Sequence, residues 1–131
     1  MPYMHITLTR PLSRDRQQVL AEACTQLLAD GLRKRHEVSA VRISLSQDTW
    51  TIGGTPQGPE NGPCHGEVFI TAGTNSSEEK SRFITNWHAL IQASCGPLAE
   101  ASYLVIHEIP ADAWGYDGHT QAWRQARRTP L

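Results

Sequence analysis

At 131 residues, 39% hydrophobic and 19% charged, the chain suits one domain or two small units around a shared core, with some apolar surface left to bury between chains. Its formal net charge of −1 offers no electrostatic basis for binding nucleic acid or an anionic membrane. No apolar run approaches the ~18 residues of a spanning helix, and the N-terminus lacks the basic-then-apolar pattern of a secretory signal.

Tyr3 to Thr9 alternates as a strand, with Met4, Ile6 and Leu8 on one face. Ser13 can cap a helix that carries Val19, Leu20, Ala23, Leu27 and Leu28 at helical spacing and fades between Gly31 and His36. Val38 to Ser46 reads as a second strand, with Arg42 on the side opposite Val41 and Ile43. Trp50-Thr-Ile-Gly53-Gly54 reads as a tight turn, since paired glycines permit positive φ. Residues 53 to 66 hold five of the ten glycines and three of the eight prolines, which marks a linker. Glu67 to Ala72 is a β-branched and aromatic strand. Ser76 and Glu79 form a capping box, and the helix it opens keeps Phe83, Ile84, Trp87, Leu90 and Ile91 in phase up to Gly96-Pro97. Ser102 to Ile109 is the last long strand and Trp114 to Gly118 the last turn. The tail from His119 is polar and arginine-rich, a surface or interface segment. Cys24, Cys64 and Cys95 are odd in number and lack metal-ligand spacing, so they read as reduced thiols of a cytoplasmic protein.

The two halves repeat. Trp50 and Gly54 recur as Trp114 and Gly118, both 64 residues later, and the helix starts at Ser13 and Ser76 lie 63 apart. The expected organisation is a first β-α-β unit over 1–54, a linker over 55–66, a second unit over 67–118 and a tail over 119–131.

Met1-Pro2 opening into a strand, Val38-Ser-Ala-Val-Arg42-Ile-Ser-Leu leading to Trp50-x-Ile-Gly-Gly54, and Gly73 to Lys80 followed by Tyr103 to Gly118 give the chain its family likeness. It resembles a fused member of the 4-oxalocrotonate tautomerase family, over residues 2 to about 121. The resemblance implies an α+β fold with the β-α-β unit duplicated in one chain, a four-stranded sheet with two helices on one face, and assembly as a homotrimer. It further implies enol–keto proton transfer on a small carboxylic acid, without metal or organic cofactor. The first half alone begins with a proline that can become a free terminus; its counterpart near His65 and Gly66 lies inside the chain. One active site per chain is expected.

In that reading, excision of Met1 leaves Pro2 a secondary amine. α-Amino groups titrate at about 7.7–8.0 in model peptides; proline's amine is more basic, but an apolar pocket and nearby positive charge bring it towards neutrality. A base so placed can take a proton from an enol hydroxyl and return it to carbon. Arg42 sits where the family places a carboxylate-binding arginine, whose guanidinium grips two oxygens at once. Arg10 is a second candidate ligand, displaced from the position used by the short tautomerases, where Leu12 falls. Trp50 and Trp114 are candidate pocket walls, and Tyr103 replaces the arginine of the first half as a hydrogen-bond donor. The dehalogenase branch carries an extra arginine pair that would fall near Ala72 and Asn75, and a water-activating glutamate near Tyr116; these departures argue against hydration.

Plainer readings stand beside these. Arg42 suits a solvated strand, Trp50 and Trp114 suit packing, and Arg33-Lys34-Arg35 suits a solvated helix end. Among the scattered histidines, His107 on the last strand is the one to follow. Two β-α-β units also describe a ferredoxin-like binding module, in which the place of Pro2 would carry no function. A tautomerase-fold interaction protein without activity is a third reading.

Overall fold

The computed structural model of the protein describes residues 2–128; Met1 and the tail residues 129–131 lie outside that range. The chain opens with β1 (Tyr3–Leu8), α1 (Arg14–Leu32), a 3-10 turn (His36–Val38) and β2 (Ala40–Leu45), closed by a hairpin of β3 (Thr51–Ile52) and β4 (Thr55–Pro56). The second half repeats this with β5 (Cys64–Thr71), α2 (Ser77–Cys95), β6 (Tyr103–Ile109) and a hairpin of β7 (Gly115–Tyr116) and β8 (His119–Thr120); α3 (Gln121–Arg127) follows. Both long helices have 19 residues and begin 63 residues apart.

Four strands make one mixed sheet in the order β2-β1-β5-β6. Within each half the two strands are parallel direct neighbours, and β1 meets β5 antiparallel, with Tyr3 opposite Phe69 and Leu8 opposite Cys64. A ferredoxin-like domain splits each β-α-β pair with an intervening strand. This sheet does not, and that alternative falls.

Alternation along β1 and β5 sends Met4, Ile6, Leu8, Val68 and Ile70 to one face. There they meet Leu20, Cys24, Leu28 and Leu32 of α1 and Phe83, Trp87 and Ile91 of α2 in one buried cluster. Each such side chain contributes on the order of 2 kcal/mol by leaving water. Ser13 Oγ accepts from Arg16 N at the start of α1, and Ser76 and Glu79 form the reciprocal capping box on α2. Glu79 also receives the Arg33 guanidinium at 2.8 Å, which joins the end of α1 to the start of α2.

The other face of the sheet carries Tyr3, His5, Thr7, Arg42, His65, Glu67, Phe69 and His107, none of them fully buried. His107 Nε2 lies 2.9 Å from Glu67 Oε1 and its ring stacks on Phe69. No helix among the described residues is long and apolar enough to cross a membrane.

Three boundaries differ from the sequence expectation. Strand β5 begins at Cys64, three residues before Glu67, because Gly66 lets the Trp87 indole lie against the strand. Both hairpins complete a second strand beyond their glycines, so the connection between halves shortens to residues 57–63. The tail folds back as α3, capped by Thr120 Oγ1 accepting from Trp123 N at 2.9 Å, with Gln121 buried.

Candidate active site

Pro2 is fully buried at the head of β1, on the helix-facing side shared with Met4, and its carbonyl accepts from Ala40 N at 3.2 Å. By the β1–β5 register it stands opposite Ile70, one residue from the end of β5. The sequence therefore places the chain's beginning beside the C-terminal ends of β5 and β6 and the end of α1.

A cavity of about 400 Å³ opens at that end of the sheet, between Leu32–Arg35 at the end of α1, Thr71 at the end of β5, and α3. Its floor is a short chain of donors and acceptors. Lys34 Nζ donates to Thr74 Oγ1 at 2.9 Å, and that hydroxyl donates to Thr71 O at 2.6 Å. Asn75 Nδ2 caps the end of α1 at Leu32 O, 3.0 Å away. Arg33 leaves the helix with φ 59° and turns its guanidinium to Glu79 and Thr74 O. Arg35 and Arg128 also line the cavity, and no aspartate or glutamate does so among the described residues. Burial holds Lys34 below the usual lysine range; the neighbouring charges of Arg33 and Arg128 act the same way, and Glu79 and Glu108 oppose them. The helix-end cluster thus forms the wall of a cationic cavity.

Of the residues singled out from sequence, Trp114 joins Pro2 at this end. Its Nε1 donates to Thr71 Oγ1 at 3.2 Å. Trp50 and Tyr103 do not: Trp50 follows the far end of β2, and Tyr103, 63% exposed, begins β6 beside His65 and Thr7. The length of β1 separates them from Pro2, on the order of 17 Å at ~3.3 Å per residue. Arg10 lies beyond that end as well. Its guanidinium donates to Cys95 O and Pro59 O at 2.9 Å and to Glu60 O at 3.2 Å, clasping the connecting segment against α2. Arg42 pairs with His5 on the open face, with Nη1 3.4 Å from Tyr3 Oη, so within one chain it points away from the side of Pro2.

Sequence reasoning missed Lys34, Thr71 and Gln121 as the lining of a cavity at the end of the sheet where Pro2 lies. The signal for Lys34 was present, because a parallel β-α-β crossover must return α1 to the start of β1. Gln121 gave none, since its role depends on the fold-back of the tail.

No family model matches the chain, and no curated protein matches it. Solved structures do. A macrophage migration inhibitory factor-like protein from Entamoeba histolytica superposes with a TM-score of 0.76 at 18% identity, over 91% of this chain and 97% of that one. A fused 4-OT, a wild-type symmetric trimer, gives 0.79 at 15% identity over 92% and 96%. Another fused 4-OT, an asymmetric trimer, gives 0.77 at 23% identity over 96% and 99%. The chain has the tautomerase-superfamily fold. Near-complete coverage in both directions means that the tautomerase fold accounts for both halves and the connection between them, not for one repeat alone.

Proposed function

We propose that the protein is a cofactor-independent tautomerase, converting the enol of a small carboxylic acid to its ketone, with Pro2 as the proton carrier once Met1 is removed. The observation that carries this reading is the cationic cavity at the end of the sheet where Pro2 is buried. Burial of Pro2 disfavours a protonated amine, and positive charge at the same end of the sheet, from the Lys34, Arg33, Arg35 and Arg128 that line the cavity, acts in the same direction. A proline nitrogen whose protonated form is disfavoured in this way can act as base and then as acid. It takes the enol hydroxyl proton as the carbonyl forms, then delivers a proton to carbon, leaving the amine as it began.

Lys34 and the neighbouring arginines supply positive charge for a carboxylate and for the enolate-like charge that develops during transfer. Arg42 serves the site of a neighbouring copy in this reading, because its own open face turns it from Pro2. Trimeric assembly through that face fits the half-exposed Tyr3, Phe69 and His107 stack. Trp114 holds Thr71 at the edge of the cavity through its Nε1, and Trp50 and Tyr103 reach a site, like Arg42, only from another copy. Arg10, with its guanidinium on three carbonyls, is assigned to the fold. Hydration of acrylic acids is not favoured: Asn75 is spent capping α1, and the Tyr116 ring carries the Arg124 guanidinium 3.7 Å above it.

The test combines intact mass with ultraviolet assays of phenylenolpyruvate and 2-hydroxymuconate ketonisation. Met1-free protein is expected to turn over at least one of them, and Pro2→Ala to lose about 10²-fold or more in kcat with the fold retained. Equal rates in the two proteins would return the chain to the class of binding modules.

A further inference from the structure

Gln121 and Gln57 hold equivalent positions, 64 residues apart. Each closes its hairpin through the backbone, Gln121 N donating to Trp114 O at 2.9 Å and Gln57 N to Trp50 O at 2.8 Å. Their side chains then part. Gln57 Nε2 donates to Thr55 O at 3.0 Å and stays partly exposed. Gln121 is only 3% exposed, and its Nε2 has no hydrogen-bond partner among the described residues. A buried amide left unpaired keeps its desolvation penalty with nothing to offset it, and the repeat itself provides a solution that the second half does not use.

Gln121 lines the cationic cavity, and so do Lys34, Arg35 and Arg128. Lys34 has three N–H donors and gives one to Thr74 Oγ1. Compensation of the α1 dipole explains cations at the helix end. It leaves the buried glutamine unexplained. An unmet amide donor and an ammonium with one of its three donors engaged line the same space, with no carboxylate lining it among the described residues, and make a donor set for an oxyanion.

We propose that the cavity between the end of α1 and α3 takes an oxyanion group of the ligand, a carboxylate or a phosphate, held by Gln121 and Lys34, so that α3 sets specificity. This rests on the tautomerase reading in one respect: the oxyanion belongs to the molecule on which Pro2 acts. The amide rotates its N–H₂ onto the anion, and the anion restores Lys34 towards its usual basicity. The second half thereby differs from the first in function as well as in sequence.

The experiment is calorimetric titration of the Met1-free full chain with inert probes: adipate, hexanoate and inorganic phosphate. If the group is a second carboxylate, adipate binds tighter than hexanoate and phosphate; if it is a phosphate, inorganic phosphate binds tightest. Gln121→Leu is expected to weaken the preferred probe about tenfold, equivalent to one charge-assisted hydrogen bond, while Tm holds or rises because an unpaired amide has been removed. Gln121→Glu weakens it further, Lys34→Met weakens it too, and Gln57→Leu does not. Equal affinity in wild type, Gln121→Leu and Lys34→Met overturns the proposal. So does a preference for hexanoate. Pro2→Ala separates the two readings: anion affinity retained with turnover lost supports both. Turnover lost in Pro2→Ala, with no effect of Gln121→Leu on probe binding, removes the anion site and leaves the tautomerase.

Discussion

Trp114 Nε1 donates to Thr71 Oγ1 at 3.2 Å, and this bond pins the turn of the second half onto the end of β5 beside the chain's beginning. Thr71 is 4% exposed, so its hydroxyl depends on that donor for a partner. Trp114→Phe keeps the ring and deletes the donor. Denaturant unfolding is expected to show a loss of about 1 kcal/mol, the net worth of one neutral hydrogen bond. Because the bond fixes Thr71, which lines the cavity, KM for an enol acid should rise more than kcat falls.

Gly66 is the packing constraint of the second half. A Cβ there would meet Trp87 Cζ2 at 2.5 Å and Leu104 Cδ1 at 3.0 Å. Trp87 is among the largest buried side chains, and its ring has no open side to move into. Gly66→Ala should cost about 1–3 kcal/mol as overpacking, read as a lower denaturation midpoint with unchanged m-value. A neutral result would show that α2 can lift from the sheet without loss.

Much of this fold is written in local signals. The capping box of Ser76 and Glu79, the cap at Ser13, the phase of Phe83, Trp87 and Ile91, and the paired hairpins all follow from short-range chemistry that the sequence displays. The start of β5 was hidden because Pro63 and Gly66 read as linker residues, while the reason for Gly66 is the Trp87 indole 21 positions away. Helix α3 was hidden for a related reason. It has seven residues, too few to carry a period, and it is held by contacts outside itself: Ala122 N to Ala111 O at 2.8 Å and Arg124 Nη2 to Tyr116 O at 2.9 Å. Pro2 and Arg42 were legible as residues. Their separation onto opposite faces of the sheet follows from strand parity and register, which single positions do not reveal.

Two titrating groups set different acid limits. The Arg33 guanidinium, followed by the Ser76 backbone N–H, holds the Glu79 carboxyl down to about 2, from its ordinary 4.5. A depressed folded pKa means the unfolded chain binds the proton first, so this contribution is complete above about 4.5 and is lost as pH falls towards about 2. Glu79→Gln should flatten the stability curve in that window. His5 is lowered from 6.5, first by burial and then by Arg42 and His65, with Glu67 opposing. Here too the unfolded state takes its proton first, so stability is expected to decline as pH falls below 6.5, and His5→Gln should remove that decline.

Arg10 and Arg42 make a matched pair of tests, because sequence offers both as carboxylate ligands and the fold surrounds them differently. Arg10 spends its guanidinium on Cys95, Pro59 and Glu60 carbonyls, across segments 49 to 85 residues away in sequence. Losing those charged-donor bonds should cost about 2 kcal/mol, seen as a lower Tm, with KM for substrate little changed in protein that remains folded. Arg42 is exposed and its contact with Tyr3 Oη is long, at 3.4 Å. Arg42→Ala should therefore leave the unfolding of the isolated chain within about 0.5 kcal/mol of wild type. If it reaches the Pro2 site of a neighbouring copy, the same change should raise KM and lower kcat for a carboxylate enol. Mixing Arg42→Ala with Pro2→Ala chains, each impaired alone, should then raise turnover above that of either variant, since a mixed assembly brings an intact Pro2 together with an intact Arg42. Failure of every mixture would place Arg42 outside the site.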